Sequence, residues 1–193
     1  MKNDKVLLDH GSGGKISHSM FSELILPLFD NPELAKQDDG AILTVGEGQL
    51  AFSTDSYVVE PIFFPGGNIG DLAVNGTIND VSMCGATPLY ISVGLIIEEG
   101  LPLADLKTIL ESMAGAARKA GVKIVTGDTK VVPRGKADKI FINTSGIGVI
   151  APGVSVSGSN ARPGDKIIVS GTIADHGITV LSTREGLKFD SDI

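Results

Sequence analysis

Apolar residues return along this chain at two different spacings. Met20, Phe21, Leu24, Ile25 and Leu28 recur at helical intervals and predict a short amphipathic helix from Ser17 to Asp30, with Ser17 as a cap and Pro27 near its end. Ala41–Val45 and Leu50–Thr54 are β-type runs joined by Gly46-Glu47-Gly48, which predicts a hairpin. A helix is expected over Asn68–Cys84, ending around Gly85 ahead of Pro88. Tyr90–Ile97 is strand-like, and Pro102 opens a helix that runs to Ala120 and stops at Gly121. Val122–Thr126 and Ile140–Ile150 are further strands.

This order predicts an α+β, mixed α/β architecture in which hairpins alternate with helical crossovers. It is not the strict repeat of a doubly wound sheet. A first domain is expected over 1–150. Residues 151–164 are rich in Pro, Gly and Ser and read as a linker. Lys166–Ser170 then restarts as a strand, and Asp175–Glu185 begins a helix. About thirty residues cannot bury a core of their own, so 165–193 reads as the truncated start of a second domain.

Composition narrows the function. With 193 residues and 42% hydrophobic positions, the chain can bury a real core. Its net charge of −7 and its lack of basic runs argue against a nucleic-acid surface, which needs clustered cations. An acidic protein that binds an anionic nucleotide needs divalent cations between the two. The single cysteine, Cys84, rules out an internal disulfide and a Cys-based zinc site, and small apolar neighbours favour a packing role for it. The N-terminus lacks a signal-peptide core and no apolar run spans a bilayer. A cytoplasmic protein is expected.

Several short stretches carry candidate chemistry. Gly11-Ser12-Gly13-Gly14-Lys15 fails the Walker pattern, because Asp9 stands where the first glycine belongs and Ile16 replaces the Ser or Thr. It is either a plain glycine-rich arm or a backbone whose amides face phosphates. Asp38 and Asp39 precede one strand of the hairpin and Asp55 follows the other. Asp-Asp-Gly is also the composition of an ordinary turn. Carboxylates brought close together repel unless a cation binds, and magnesium takes such oxygen ligands along with phosphates and waters. Asp71, Asn75, Asn79 and Asp80 load one helix with residues that favour helices poorly, which suggests polar work or a solvated face. Thr126-Gly127-Asp128-Thr129-Lys130 places opposite charges at an expected strand end, as a ligand loop or a polar turn. His10, His18 and His176 have no metal-ligand spacing.

Together these stretches resemble the aminoimidazole ribonucleotide synthetase (PurM-like) superfamily, and within it the HypE-type hydrogenase-maturation proteins. The resemblance rests on Leu8–Lys15, Gln37–Leu43, Phe52–Tyr90, Ile124–Val132 and Ala174–Leu187, of which the long third block is the most specific. It implies that Asp38 or Asp39, Asp55, Asp80 and Asp128 bind Mg2+ bridging the phosphates of ATP. Asn75 and Asn79 fall in the family's polar nucleotide-site helix, and Gly11, Ser12, Gly13, Gly14 and Lys15 in the loop that closes over phosphates. Thr126, Gly127, Thr129 and Lys130 match positions at or beside the site. His176 and Gly177 match the start of the second domain's motif.

The implied reaction is the dehydration of a C-terminal S-carbamoyl-cysteine. ATP phosphorylates the amide oxygen, phosphate leaves, and a thiocyanate forms that supplies the cyanide ligand of nickel–iron hydrogenase. Catalysis would rest on positioning and on charge neutralisation by magnesium with Lys15 and Lys130. The resemblance also implies a homodimer sharing a β-barrel, the carbamoyltransferase HypF, and the HypC–HypD cyanide-acceptor complex as partners. The family's acceptor cysteine ends a full two-domain chain, whereas this sequence ends at Asp192-Ile193, so an N-terminal fragment inactive by itself is expected. Two alternatives remain. One is another phosphotransferase of the superfamily, such as thiamine monophosphate kinase or selenophosphate synthetase, the latter disfavoured by Ser12 and Gly13. The other is a non-catalytic dimerisation and docking module.

Overall fold

The computed structural model describes residues 5–29 and 31–185, which fall into two compact units, Met1–Asn160 and Ala161–Ile193. The first unit begins with a 3-10 turn, Leu8–Gly11, and a helical run made of α1 (Lys15–Met20), a π-type turn (Phe21–Ile25) and α2 (Leu26–Phe29). This run starts two residues before Ser17, with Gly14 as its cap, because Ser17 turns its hydroxyl back to the His10 carbonyl instead of capping. The expected end at Asp30 lies outside the described residues.

The core element is a five-stranded sheet. Its strands are β1 (Ala41–Val45), β2 (Gly48–Tyr57), β5 (Ala86–Glu98), β6 (Lys123–Val132) and β7 (Ile140–Ile150). Their order is β1-β2-β7-β5-β6, antiparallel except for β5 and β6. A two-stranded ribbon, β3 (Phe63–Phe64) with β4 (Gly67–Asn68), leads into α3 (Ile69–Met83). The parallel pair β5–β6 is joined through α4 (Leu103–Ala120), as a parallel connection requires. The mixed α/β reading therefore holds.

Both long helices end on residues legible in the sequence. Asn68 accepts the Gly70 amide while Asp71 accepts the Asn68 amide, a reciprocal cap on α3. Gly121 closes α4 in the left-handed conformation, with Val122 N–H bonded back to the Ala117 carbonyl.

Alternation along the strands sends one face of the sheet to these helices. Ile91, Val93, Ile97, Ile140 and Ile142 pack there against Ile69, Val74, Ile109 and Met113. A smaller cluster, Ala51, Val81, Cys84 and Ile150, closes the β2 end, so Cys84 does pack in the core. In β7, Gly146 and Gly148 let α3 approach closely: a Cβ at these positions would stand 2.9 Å from Thr77 Cγ2 and 2.6 Å from Val81 Cγ1. Both long helices, α3 and α4, lie on this face.

Two expectations change. β6 continues to Val132, so Asp128 lies mid-strand and not in a turn, because pairing with β5 persists through Glu98. In the second unit, α5 (Asp175–Glu185) forms as expected, but Lys166–Ser170 is not a strand. Ile167 and Ile168 are almost fully exposed, and no strand pairs with this segment among the described residues. Extended backbone without a partner leaves its ladder groups to water.

Candidate functional site

β2 places Ser53, Asp55 and Tyr57 on one face by its period of two, pointing to the side where α3 lies. α3 answers with Thr77 and Asp80, three residues apart on the same helix face. Ser53 Oγ lies 3.0 Å from the Asp39 carbonyl and 3.2 Å from Asp80 Oδ2, so one hydroxyl proton serves two acceptors across the β1–β2 edge and α3. The pKa of Asp80 is raised, first by burial and then by the neighbouring charges of Asp55 and Asp39, against the opposing pull of the Ser53 hydrogen bond. Asp39 and Asp55 thus each lie within electrostatic reach of Asp80.

Beneath them runs a buried chain of hydroxyls. Thr144 Oγ1 reaches the Ala73 carbonyl at 3.0 Å, an acceptor only, so Thr144 must donate there. Thr77 then donates to Thr144 at 2.5 Å, and the Tyr57 phenol lies 3.3 Å from the Thr77 hydroxyl. Desolvation is the main reason the Tyr57 pKa is pushed up to about 12, with the Thr77 hydrogen bond opposing it and the negative charge of Asp55 adding to it. Gly76 makes room for the phenol: a Cβ there would overlap the Tyr57 hydroxyl. The motif Asn75-Gly76-Thr77-Ile78-Asn79-Asp80 therefore has a division of labour, with Gly76 and Thr77 for packing and Asp80 for the site.

The other candidates are placed differently. Asp38 turns away from Asp80, and both its oxygens are taken: Ser157 Oγ donates at 2.6 Å and Gly158 N–H at 3.1 Å. Asp128 pairs with Gly94 in a row with Asn143 and Ser56, one residue on from the row of Asp55 and so on the opposite face. Three strand spacings, about 14 Å, separate its strand from β2. Its carboxylate is held below the usual range by Lys130, whose ammonium pairs with it. Thr126, Gly127 and Thr129 lie along the same strand. Asn79 is exposed, and Asn75 lines a groove between α3 and α4 with Asp71 and Lys119. Gly11 through Lys15 is exposed throughout. The five carboxylates therefore do not converge within one chain, because a sheet separates Asp128 from the rest. Among the described residues, no three His, Cys, Asp or Glu side chains stand close enough to form a preformed metal cage.

A cavity of about 480 Å3 opens beside Asp39, walled by Phe21, Leu34, Phe52, Ser53 and Thr54. Of the site residues, Ser53, Tyr57, Thr77 and Thr144 are absent from the sequence reading. The alternation Ser53, Asp55, Tyr57 along β2 was the available signal for the first two. Nothing local marks Thr144, whose partner Thr77 lies 67 residues away.

Residues 37–150, which include β1 through β7, match the family model described as AIR synthase related protein, N-terminal domain. The carbamoyl dehydratase HypE of Azotobacter vinelandii is 54% identical over 193 residues, covering 100% of this chain and 57% of that protein. A structure of a HypE–HypF complex aligns with a TM-score of 0.82 at 54% identity, over 91% of this chain and 56% of the other. A structure of HypE in complex with ATP aligns with a TM-score of 0.71 at 59% identity, over 98% and 56%. The chain thus spans a little over half the length of these relatives. With residues 37–150, more than half its length, matched by that family model, the chain belongs to the AIR synthase-related family.

Proposed function

We propose that this chain forms the nucleotide-binding half of an ATP-dependent carbamoyl dehydratase of the HypE type, acting in the maturation of nickel–iron hydrogenase. The observation that carries the reading is the Asp80 carboxylate within electrostatic reach of Asp55 and Asp39, with Asp39 and Ser53 lining an open cavity, in a chain similar to a protein solved with ATP. The charges of Asp55 and Asp39 disfavour that of Asp80. That is the electrostatic setting in which a metal–phosphate complex binds.

Magnesium fits this donor set. It is commonly held by one or two carboxylates, with phosphate oxygens and waters completing an octahedron, so a preformed cage is not needed. Asp55 and Asp80 would hold it, with Asp39 at the edge. When bound, the metal neutralises phosphate charge as the phosphoryl group moves. The chain's own residues orient that site. Ser53 fixes the Asp80 carboxylate, and the Tyr57–Thr77–Thr144 chain locks β2 to α3 so that Asp55 and Asp80 keep their spacing. Lys15 and the Gly11–Gly14 turn are free of packing and available to cover phosphates. The reaction then proceeds by phosphorylation of a carbamoyl oxygen, which turns a poor leaving group into phosphate.

The face of the sheet opposite α3 and α4 supports self-association. Phe52, Ile147 and Tyr90 form one apolar row across β2, β7 and β5, and Leu50 with Val149 extends it. Each of Phe52, Tyr90, Ile147 and Val149 is roughly two-fifths exposed. An apolar surface of this kind on an isolated chain marks an interface. A homodimer built on this face would bring Asp128 and Lys130, which share it, toward a second copy, and Asp128 joins a metal site only across that interface. HypF and a cyanide-accepting HypC–HypD complex are the proposed partners, and the cytoplasm the proposed compartment. Among the described residues no helix is long and apolar enough to cross a membrane.

Titration calorimetry with ATP tests the reading. Saturable heat that requires Mg2+ and disappears in Asp80→Asn is expected. Absence of heat from the parent chain at millimolar ATP would overturn it.

A further inference from the structure

The segment read as a linker is, over its first ten residues, a built part of the first unit. Val154 packs on the cluster of Ala51, Val81 and Cys84. Gly85, in a left-handed conformation, admits Val154 and Val156 to within 2.8 and 2.9 Å of where a Cβ would stand. Asn160 folds back, its side-chain amide donating to the Ser155 carbonyl and its backbone amide to the Ser157 carbonyl. The Ser157 hydroxyl also lies 2.9 Å from that of Ser159.

Asp38 pins this structure. Its two carboxylate oxygens accept from Ser157 Oγ and from Gly158 N–H, a bidentate grip across 119 and 120 residues of sequence. Bonds to a charged acceptor are the strong class, and both partners here belong to one tight turn. Each of the Asp38 oxygens is thereby committed to this turn. The neighbouring Asp39 is gripped through its backbone carbonyl by Ser53, and its carboxylate lies within electrostatic reach of Asp80.

We infer that Asp38 is a positioning residue, not a metal ligand: it latches the Ser155–Asn160 turn to the β1 edge, so that the chain leaves the first unit from a fixed point beside Asp39. The adjacent aspartates then have separate tasks, one toward the nucleotide and one toward the departing chain. Only the metal arm of the test below rests on the nucleotide reading.

The experiment compares Asp38→Asn, Asp38→Ala, Ser157→Ala and Asp39→Asn by amide hydrogen exchange and by Mg2+-dependent ATP calorimetry. The Asn variant keeps an acceptor oxygen for Gly158 N–H but loses the charge a metal requires. Exchange at the Gly158 amide should rise about tenfold or more in Asp38→Ala, and stay within about threefold of the parent in Asp38→Asn. Ser157→Ala should fall between them, and Asp39→Asn should leave this amide unchanged. Magnesium-dependent binding should survive Asp38→Asn and fail in Asp39→Asn. Parent-like exchange in Asp38→Ala overturns the latch, as does loss of metal-dependent binding in Asp38→Asn equal to that in Asp39→Asn. If the parent binds no Mg2+–ATP, the nucleotide reading fails while the exchange arm still decides the latch. Should Asp38→Ala not fold, Ser157→Ala decides: parent-like exchange at Gly158 in that variant overturns the proposal.

Discussion

Ser53 on β2 donates to Asp80 on α3 at 3.2 Å, and the same hydroxyl touches the Asp39 carbonyl, so one small side chain joins the hairpin edge to the helix that carries the acidic corner. Asp80 retains a raised pKa despite this bond, because burial and two nearby carboxylates outweigh one hydroxyl. The site is held in tension by charge, which has measurable consequences.

Asp80→Asn should separate function from stability. A carboxyl whose folded pKa is raised contributes stability that is fully present below its unfolded pKa and is lost as pH rises through the folded one. At neutral pH the Asp80 charge therefore works against the fold. The Asn variant should melt at the same temperature or higher near pH 7, while its affinity for Mg2+–ATP falls about tenfold or more. Melting curves at pH 4 and pH 7 alongside calorimetry would check this; a lower melting temperature at pH 7 with intact binding would contradict it.

Tyr57 supplies a second pH signature at the other end of the scale. Its folded pKa of about 12 exceeds the ordinary 10.0, so the unfolded state loses its proton first. Stability should fall as pH rises from 10 toward 12. Tyr57→Phe should flatten that decline, and it should lower stability at pH 7 by about 1 kcal/mol through loss of the bond to Thr77. Alkaline denaturation curves of both proteins give the comparison.

Gly76→Ala sets helix propensity against packing. Alanine alone would favour α3 by about 1 kcal/mol. A Cβ here meets the Tyr57 hydroxyl, however, and overpacking of this kind costs about 1–3 kcal/mol. Net destabilisation is expected in the parent and a smaller one in a Tyr57→Phe background, where the oxygen is gone but two ring carbons still stand 3.1 Å from the new Cβ. Urea unfolding of the four proteins would read the coupling directly.

Ile147→Asp tests the sheet face opposite α3 and α4. The side chain lies between Phe52 and Tyr90 and is not in the core, so the monomer should remain folded. A buried unpaired charge would oppose self-association and raise the dimer dissociation constant by about a hundredfold or more. Sedimentation velocity across concentrations would show it, with an unchanged sedimentation profile sinking the proposed interface.

Asp128→Ala should leave the melting temperature nearly unchanged. Its pairing with Lys130 is two-thirds exposed on both sides, and surface pairs of this kind add little to stability. If Asp128 acts across the interface, the variant weakens Mg2+–ATP binding in the parent but adds nothing in an Ile147→Asp background. Equal weakening in both backgrounds would place its action within one chain.

The sequence by itself determined those features whose causes are local. The caps at Asn68 and Gly121 bound α3 and α4, and the run Ile140–Ile150 is strand from end to end. Tertiary structure decided what depends on pairing. It extended β6 past Asp128 because β5 continues beside it, and it withheld a strand from Lys166–Ser170, which has no partner among the described residues. It also divided the aspartates. Sheet parity put Asp128 on the face opposite Asp55, and a turn more than a hundred residues away took Asp38, leaving Asp39 and Asp55 within electrostatic reach of Asp80. A chain of residue types can announce that carboxylates are present. Only the strand register and the packing of α3 determine which of them share one patch of space.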